Sequence, residues 1–205
     1  MTTFATRPRP NSRPQSNIRS GRAPFEFYPT PPEAVRALLS VETFDGDIWE
    51  PACGDGAISK ELIKAGHNVT STDLIDRGFG QGRSDFLKST QPLAKNIITN
   101  PPYGTHGLGD AFVRKALIHC QKTGGSVAML LNLRSLCNPD RTPKFCKTPP
   151  AAIYALDELI CWPEGKPTSS SARIAKQQYY WAVWKPGHQG APRLWWLSTK
   201  RFKDQ

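Results

Sequence analysis

"DGDIWEPACGDGAISKELIKAGHNVTSTDLID", residues 45–76, decides the fold. Ile48 and Trp49 lie between acidic turn residues and a break at Pro51, which reads as a short strand. Glycines 54 and 56 follow at once, where a tight turn needs backbone dihedrals that side chains resist. "AISKELIK" then has the spacing of a helix that stops at Gly66, and "NVTSTD" reads as a second strand. Strand, glycine turn, helix and strand within about thirty residues form a βαβ unit, which implies a parallel sheet and a right-handed crossover.

The flanking sequence extends this unit. Upstream, Thr30, Pro31, Pro32 and Glu33 read as a helix start with a Thr N-cap and a capping-box Glu, and Val35, Leu38 and Leu39 mark one apolar face. Downstream, residues 76–95 are less regular, and Asn96–Thr99 reads as a short strand. Asp110 can cap a helix over 111–122 that ends at Gly124 and Gly125. "SVAMLLNL", 126–133, is a continuous apolar run, as expected of a strand covered on both faces. Residues 134–150 read as a basic loop, and short strand candidates follow at 153–162, 178–184 and 193–197.

The chain has 205 residues, enough for one domain with a real core. Its net charge of +10 is unevenly placed. Residues 1–25 hold five Arg and no acid, 26–133 hold ten bases and twelve acids, and 162–205 carry +6. Residues 1–24, rich in Arg, Pro and Ser, read as a disordered basic arm, leaving 25–205 as the folded domain. A near-neutral body with basic ends suits a small ligand in the body and a polyanion at the ends. The five cysteines form no CxxC pair, so neither a metal site nor a disulfide framework is expected, and Cys53 reads as a packing residue. No apolar run reaches membrane-spanning length, and the Met1 end lacks a signal peptide's apolar core, so no membrane association and a cytoplasmic location are expected.

Asp73, at the end of the second strand, can take the ribose hydroxyls of a nucleoside. The dinucleotide pattern GxGxxG is absent, and a turn bearing Glu50 and Asp55 suits a positively charged ligand better than a pyrophosphate. "ITNPPYG", 98–104, leaves a strand with a polar amide, two prolines and an aromatic ring. By itself this can be a turn.

Taken in order, "FYPTPPE", "EPACGDG", "STDLI", "SDFL" and "NPPY" resemble the S-adenosylmethionine-dependent DNA adenine-N6 methyltransferases whose cofactor motifs precede the catalytic one, small phage or prophage-encoded members above all. The resemblance implies a Rossmann-like class I methyltransferase fold, mostly parallel, with antiparallel C-terminal strands. It implies S-adenosylmethionine as cofactor and double-stranded DNA as substrate, with no metal and no obligatory protein partner, the chain acting as a monomer. Tyr28, Thr30 and Pro31 would border the cofactor's methionine end. Glu50, Ala52, Gly54 and Gly56 would floor the site, Asp73 with Leu74 would hold the ribose, and Asp85 with Phe86 would meet the adenine ring. Asn100 and the Pro101 carbonyl, held rigid by Pro102, would accept hydrogens from the target amine, and Tyr103 would offer the extruded base a flat face.

Alternatives stand beside these roles. Thr30 is also explained as a helix cap, and Asp85 and Phe86 as a loop acid and a core aromatic. Phe145 and Trp162 are both candidates for the second face of the base. Arg134, Arg141, Lys144, Lys147, Arg173 and Lys176 are candidate DNA contacts or a solvated surface. The Trp-rich end, with Trp195 and Trp196, reads as closing a hydrophobic face. Cytosine N4, RNA adenine or a protein glutamine would use the same motif, and a non-catalytic nucleic-acid-binding module is the rival of another class. Only some seventy residues follow Leu133, so no large separate target-recognition domain is expected.

Overall fold

The structure, a computed structural model, describes residues 23–104, 107–137, 141–167 and 177–203, with the Arg141 and Thr142 side chains also outside the description. Most of the basic arm, together with Arg173 and Lys176, therefore lies outside the described residues. In chain order the elements are α1 (Pro32–Leu39), β1 (Ile48–Glu50), α2 (Ala57–Lys64), β2 (Val69–Ser71), β3 (Asn96–Thr99), α3 (Leu108–Thr123), β4 (Val127–Asn132), α4 (Arg141–Lys147), β5 (Ala152–Leu156), β6 (Tyr179–Trp184) and β7 (Arg193–Leu197).

The described strands form one seven-stranded sheet in the order β2-β1-β3-β4-β6-β5-β7. β1 pairs in parallel with β2 and β3, and β3 pairs in parallel with β4. The expected antiparallel pairing near the C-terminus comes from one reversed strand. β6 opposes both β4 and β5, while β7 runs parallel to β5. Trp49 of β1 is buried at 1 %, and its indole N–H donates to Thr72 Oγ1, just beyond the neighbouring β2, at 2.9 Å.

Alternation along the strands separates two cores, as helices on both sheet faces require. On one face Ile48, Ile98, Leu130, Tyr154 and Trp181 pack with α1 and α2. On the other Trp49, Ile97, Met129, Tyr180 and Trp184 pack with Phe112, Val113 and Ala116 of α3.

Three local expectations change. Thr30 is not the cap of α1: Pro31 holds that position with no side-chain cap, and the buried Thr30 hydroxyl turns elsewhere. α3 starts at Leu108 behind Gly107, whose φ of +76° suits glycine, and Asp110 lies in its first turn, ion-paired with Lys144. The expected loop 134–150 contains α4, in which Pro143 falls in the first turn, where no intrahelical N–H is lost.

Candidate functional site

In an open α/β sheet a ligand crevice forms at the carboxyl ends of the strands where the connections diverge. Here the chain leaves β1 for β2 on one side, and β3 lies on the other. The turn after β1 holds Gly54 and Gly56, and the turn after β3 holds Asn100 to Tyr103.

The first turn is tied down from below. Gly56 caps α2 with φ +84° and offers no side chain, so Glu50 does this work from β1. Its carboxylate accepts from Ser59 N at 2.8 Å and from Ser59 Oγ, which also meets Ser71 Oγ at 2.6 Å. Glu50 is only 1 % exposed, and it supports the turn from beneath. Burial raises its pKa well above the usual glutamate range, against the lowering effect of the Ser59 bonds. The unfolded chain therefore loses this proton first as pH rises, and stability falls between the two pKa values. Glu50→Gln should remove that slope, up to about 1.4 kcal/mol per pH unit, in urea unfolding measured from pH 4 upward. An unchanged slope in the variant would assign it to another group.

Asp73 stands beside this turn. Its Oδ2 accepts from Gly54 N and its Oδ1 from Ile75 N, both at 2.8 Å. A carboxylate has about four lone-pair sites, so capacity remains on both oxygens. Asp55 Oδ1 is buried and makes no hydrogen bond with any described residue. An orphaned carboxyl oxygen beside Glu50 and Asp73 fits a ligand that brings positive charge or a donor. Among the described residues no group of His, Cys, Asp and Glu could hold a metal ion.

Phe27 and Phe79 were missed by the sequence reading. A Cβ built on Gly54 would lie 2.7 Å from Phe27 Cε2, and one on Gly56 would lie 2.5 Å from Phe79 Cδ1. The two rings thus cover the glycines, with the Arg77 guanidinium 4.3 Å from the Phe27 ring centre and Lys60 Nζ 5.2 Å from that of Phe79. The only local signal was the aromatic residues of "FEFY" and "GFG", which do not reveal what they cover.

The second turn is held with equal care. Asn100 Nδ2 donates to Tyr28 O and Thr30 Oγ1, both at 3.1 Å, which fixes the amide so that Oδ1 is the acceptor. The Tyr103 hydroxyl lies 2.7 Å from Asn100 Oδ1 and 3.0 Å from Leu130 O. Tyr103 is half-buried, its ring tilted against Tyr179 with centres 6.4 Å apart, and burial pushes its phenol pKa well up. It therefore stays neutral and keeps its proton for these acceptors.

Segment 26–30 joins the two turns. The Phe27 ring lies on Gly54, Tyr28 O and Thr30 Oγ1 receive Asn100, and the Glu26 carboxylate accepts from Gly104 N at 3.4 Å. Tyr28 and Pro31 are half-buried beside it, as is Ala52 on the first turn, while Leu74 is 53 % exposed.

The remaining candidates have these places. Asp85 Oδ1 accepts from Leu87 N at 3.0 Å, and its Oδ2 lies 3.4 Å from Lys88. Phe86, expected against a ligand ring, is instead 2 % exposed, its ring meeting those of Trp49 and Phe112 with centres 5.0 Å apart. Phe145 sets its ring edge-on to Trp184 at 5.7 Å. Trp162 is half-buried beside a short 3-10 turn, Pro163–Gly165, whose Glu164 N donates to Phe27 O at 3.0 Å. Of the two aromatic candidates, Trp162 is thereby tied to the segment that holds Asn100. Arg134 is exposed just beyond β4, and Lys144 is paired with Asp110.

No protein-family model matches the chain, and no curated protein matches it. Solved structures do. A modification subunit of a proposed type I restriction enzyme from Vibrio vulnificus is similar at TM-score 0.54 and 14 % identity, over 84 % of this chain and 47 % of that one. A proposed RNA methyltransferase from Pyrococcus horikoshii gives 0.54 and 15 %, over 79 % and 88 %. A dimethyladenosine transferase from Plasmodium falciparum gives 0.53 and 13 %, over 78 % and 63 %. This chain thus spans less than half of the restriction-enzyme subunit. The likeness is one of fold: a Rossmann-like, mostly parallel sheet.

Proposed function

We propose that the chain is an S-adenosylmethionine-dependent methyltransferase acting on the N6 amine of adenine in double-stranded DNA. The observation that supports this most is segment 26–30, which contacts the acidic glycine turn and the Asn-Pro-Pro-Tyr turn together. A donor site and an acceptor site for methyl transfer need that proximity.

S-adenosylmethionine, when bound, supplies an electrophilic methyl group on a positively charged sulfur. Asp73, with Leu74 beside it, would hold the ribose, and Asp85 the adenine amine. Asp55 with its unpartnered oxygen would face the positive charge. Tyr28, Thr30, Pro31 and Ala52 would border the methionine end. Gly54 and Gly56 would floor the site once the Phe27 and Phe79 rings give way.

The target amine is a poor nucleophile because its lone pair is spread into the ring. Asn100 Oδ1 has a lone pair beyond the one that meets Tyr103, and it would accept one amine hydrogen. The Pro101 carbonyl would accept the other. Together they draw electron density back onto nitrogen without reorganising as the reaction proceeds. Tyr103 holds Asn100 by its hydroxyl and offers the base the open part of its ring. Trp162 would cover the opposite face. Arg134, and the arginines of the N-terminal arm, would meet phosphate.

Support for a nucleic-acid substrate comes from the +10 charge and from the names of the similar structures, two of which point to RNA or adenosine methylation. Parallel incubation of methyl-labelled cofactor with duplex DNA and with RNA, followed by digestion to nucleosides, tests the assignment. The expected label is in N6-methyldeoxyadenosine. Label in N4-methyldeoxycytidine, or in RNA alone, would refute the DNA-adenine assignment. Absence of calorimetric binding of S-adenosylhomocysteine would refute the methyltransferase itself.

A further inference from the structure

β7, at the end of the sheet away from β2, carries a surface that methyl transfer does not use. Trp49, Trp181 and Trp184 are 4 % exposed or less, and the Trp181 and Trp184 indoles donate to Ala34 O and Thr148 O, each at 3.0 Å. Against expectation, β7 does not close a hydrophobic face: Leu194 is 50 % exposed, Trp195 59 % and Trp196 74 %. An edge strand with this much apolar surface invites pairing or binding.

Strand alternation places Trp195 on the sheet face shared by Arg193 and Leu197, and Trp196 on the other with Leu194. On the first face Val41, Tyr154, Arg193 and Trp195 line a shallow, open-mouthed cavity of about 310 Å³. Its wall is built. Arg193 Nη2 donates to Tyr154 OH at 2.7 Å, Tyr154 OH donates to the buried Glu42 Oε1 at 2.5 Å, and Lys185 Nζ lies 2.7 Å from Glu42 Oε2. Arg193 is itself 3.8 Å from Glu42.

Charge chooses the occupant. Residues 177–203 contain Lys185, Arg193, Lys200, Arg201 and Lys203 and no Asp or Glu, and the acids that the fold sets against them, Glu42, Asp157 and Glu158, leave cations in excess along this edge. Lys185 stands before β7, Arg193 opens it and Lys200, Arg201 and Lys203 follow it, the strand itself spanning about 17 Å. A second copy pairing antiparallel along this edge would bring Arg193 of one chain towards Lys200 of the other, which repels. A polyanion does not meet that penalty, and flat indoles between cations suit bases that are not already stacked in a duplex.

We propose that the β7 edge is a second nucleic-acid contact, distinct from the methyl-transfer site: unpaired bases of a single strand stack on Trp195 and Trp196, one of them entering the cavity beside Trp195, while phosphates lie along Lys185, Arg193, Lys200 and Lys203. Four strand steps separate β3 from β7, about 19 Å, so one strand of several nucleotides can reach both. The inference goes beyond the proposed methylation and stands without it.

The test uses the full chain and a thirty-residue oligothymidylate, which offers no adenine to methylate. The wild type should bind it, with tryptophan quenching, more tightly than a duplex of equal length. Trp195→Ala/Trp196→Ala should weaken binding at least tenfold with an unchanged melting temperature, and Trp195→Phe/Trp196→Phe should recover most of it, since a phenyl ring still stacks. If the double Ala variant melts early, Trp196→Ala alone serves, because that side chain is the more exposed. Equal affinity in wild type and Ala variants overturns the proposal. So does a wild-type dimer in sedimentation that the Ala variant dissolves, or thymidine monophosphate binding as tightly as the strand.

Discussion

Replacing Asn100 by Ala should lower kcat for methyl transfer about 100- to 1,000-fold while leaving the affinity for S-adenosylhomocysteine within a few fold. The range is that for removing one preorganised polar group from a reacting centre. In the proposed mechanism Asn100 Oδ1 acts on the amine, so the loss should fall mainly on kcat. The variant also strands the buried Thr30 hydroxyl and the Tyr28 carbonyl, which together receive Asn100 Nδ2. A stability cost of about 1–3 kcal/mol is expected from that, so activity must be read below the melting transition. Wild-type turnover in a folded Asn100→Ala chain would sink the catalytic assignment. Full loss of cofactor affinity would instead make Asn100 a residue that shapes the donor site.

Gly56→Ala should destabilise the fold by about 2–5 kcal/mol. A φ of +84° costs a residue with a Cβ about 1–2 kcal/mol. The new methyl would also lie 2.5 Å from Phe79 Cδ1, and overpacking of that kind costs about 1–3 kcal/mol more. Gly66 separates the two terms, because it has φ +92° with nothing within 4 Å of where an alanine methyl would sit. Gly66→Ala should therefore show the backbone cost alone. Adding Phe79→Ala to Gly56→Ala should return the steric part, a coupling readable by urea unfolding of the four-variant cycle. Equal losses at Gly56 and Gly66, with no coupling to Phe79, would show that the ring does not press on the turn in solution.

Much of the fold could be read along the chain. β3 has the bounds 96–99 expected from its apolar run, α2 stops before Gly66, and β4 is covered on both faces as its unbroken apolar sequence demanded. Those features depend on periodicity and on glycine and proline, which act over a few residues. Both motif turns could be located for the same reason, and the parallel βαβ order put them at strand ends.

What the sequence could not settle depends on partners far along the chain. Thr30 looks like a helix cap until its hydroxyl meets Asn100, 70 residues later. Asp110 looks like another until α4 presents Lys144. The glycines at 54 and 56 promised room for a ligand, and folding laid Phe27 and Phe79 over them. Trp181 and Trp195 are the same residue type in similar apolar runs, yet one is buried and the other exposed, because β6 lies between two strands and β7 has a neighbour on one side only. Local pattern determined which segments are strands and turns; the order of those strands in the sheet decided which side chains are covered, which are exposed, and which meet at the site.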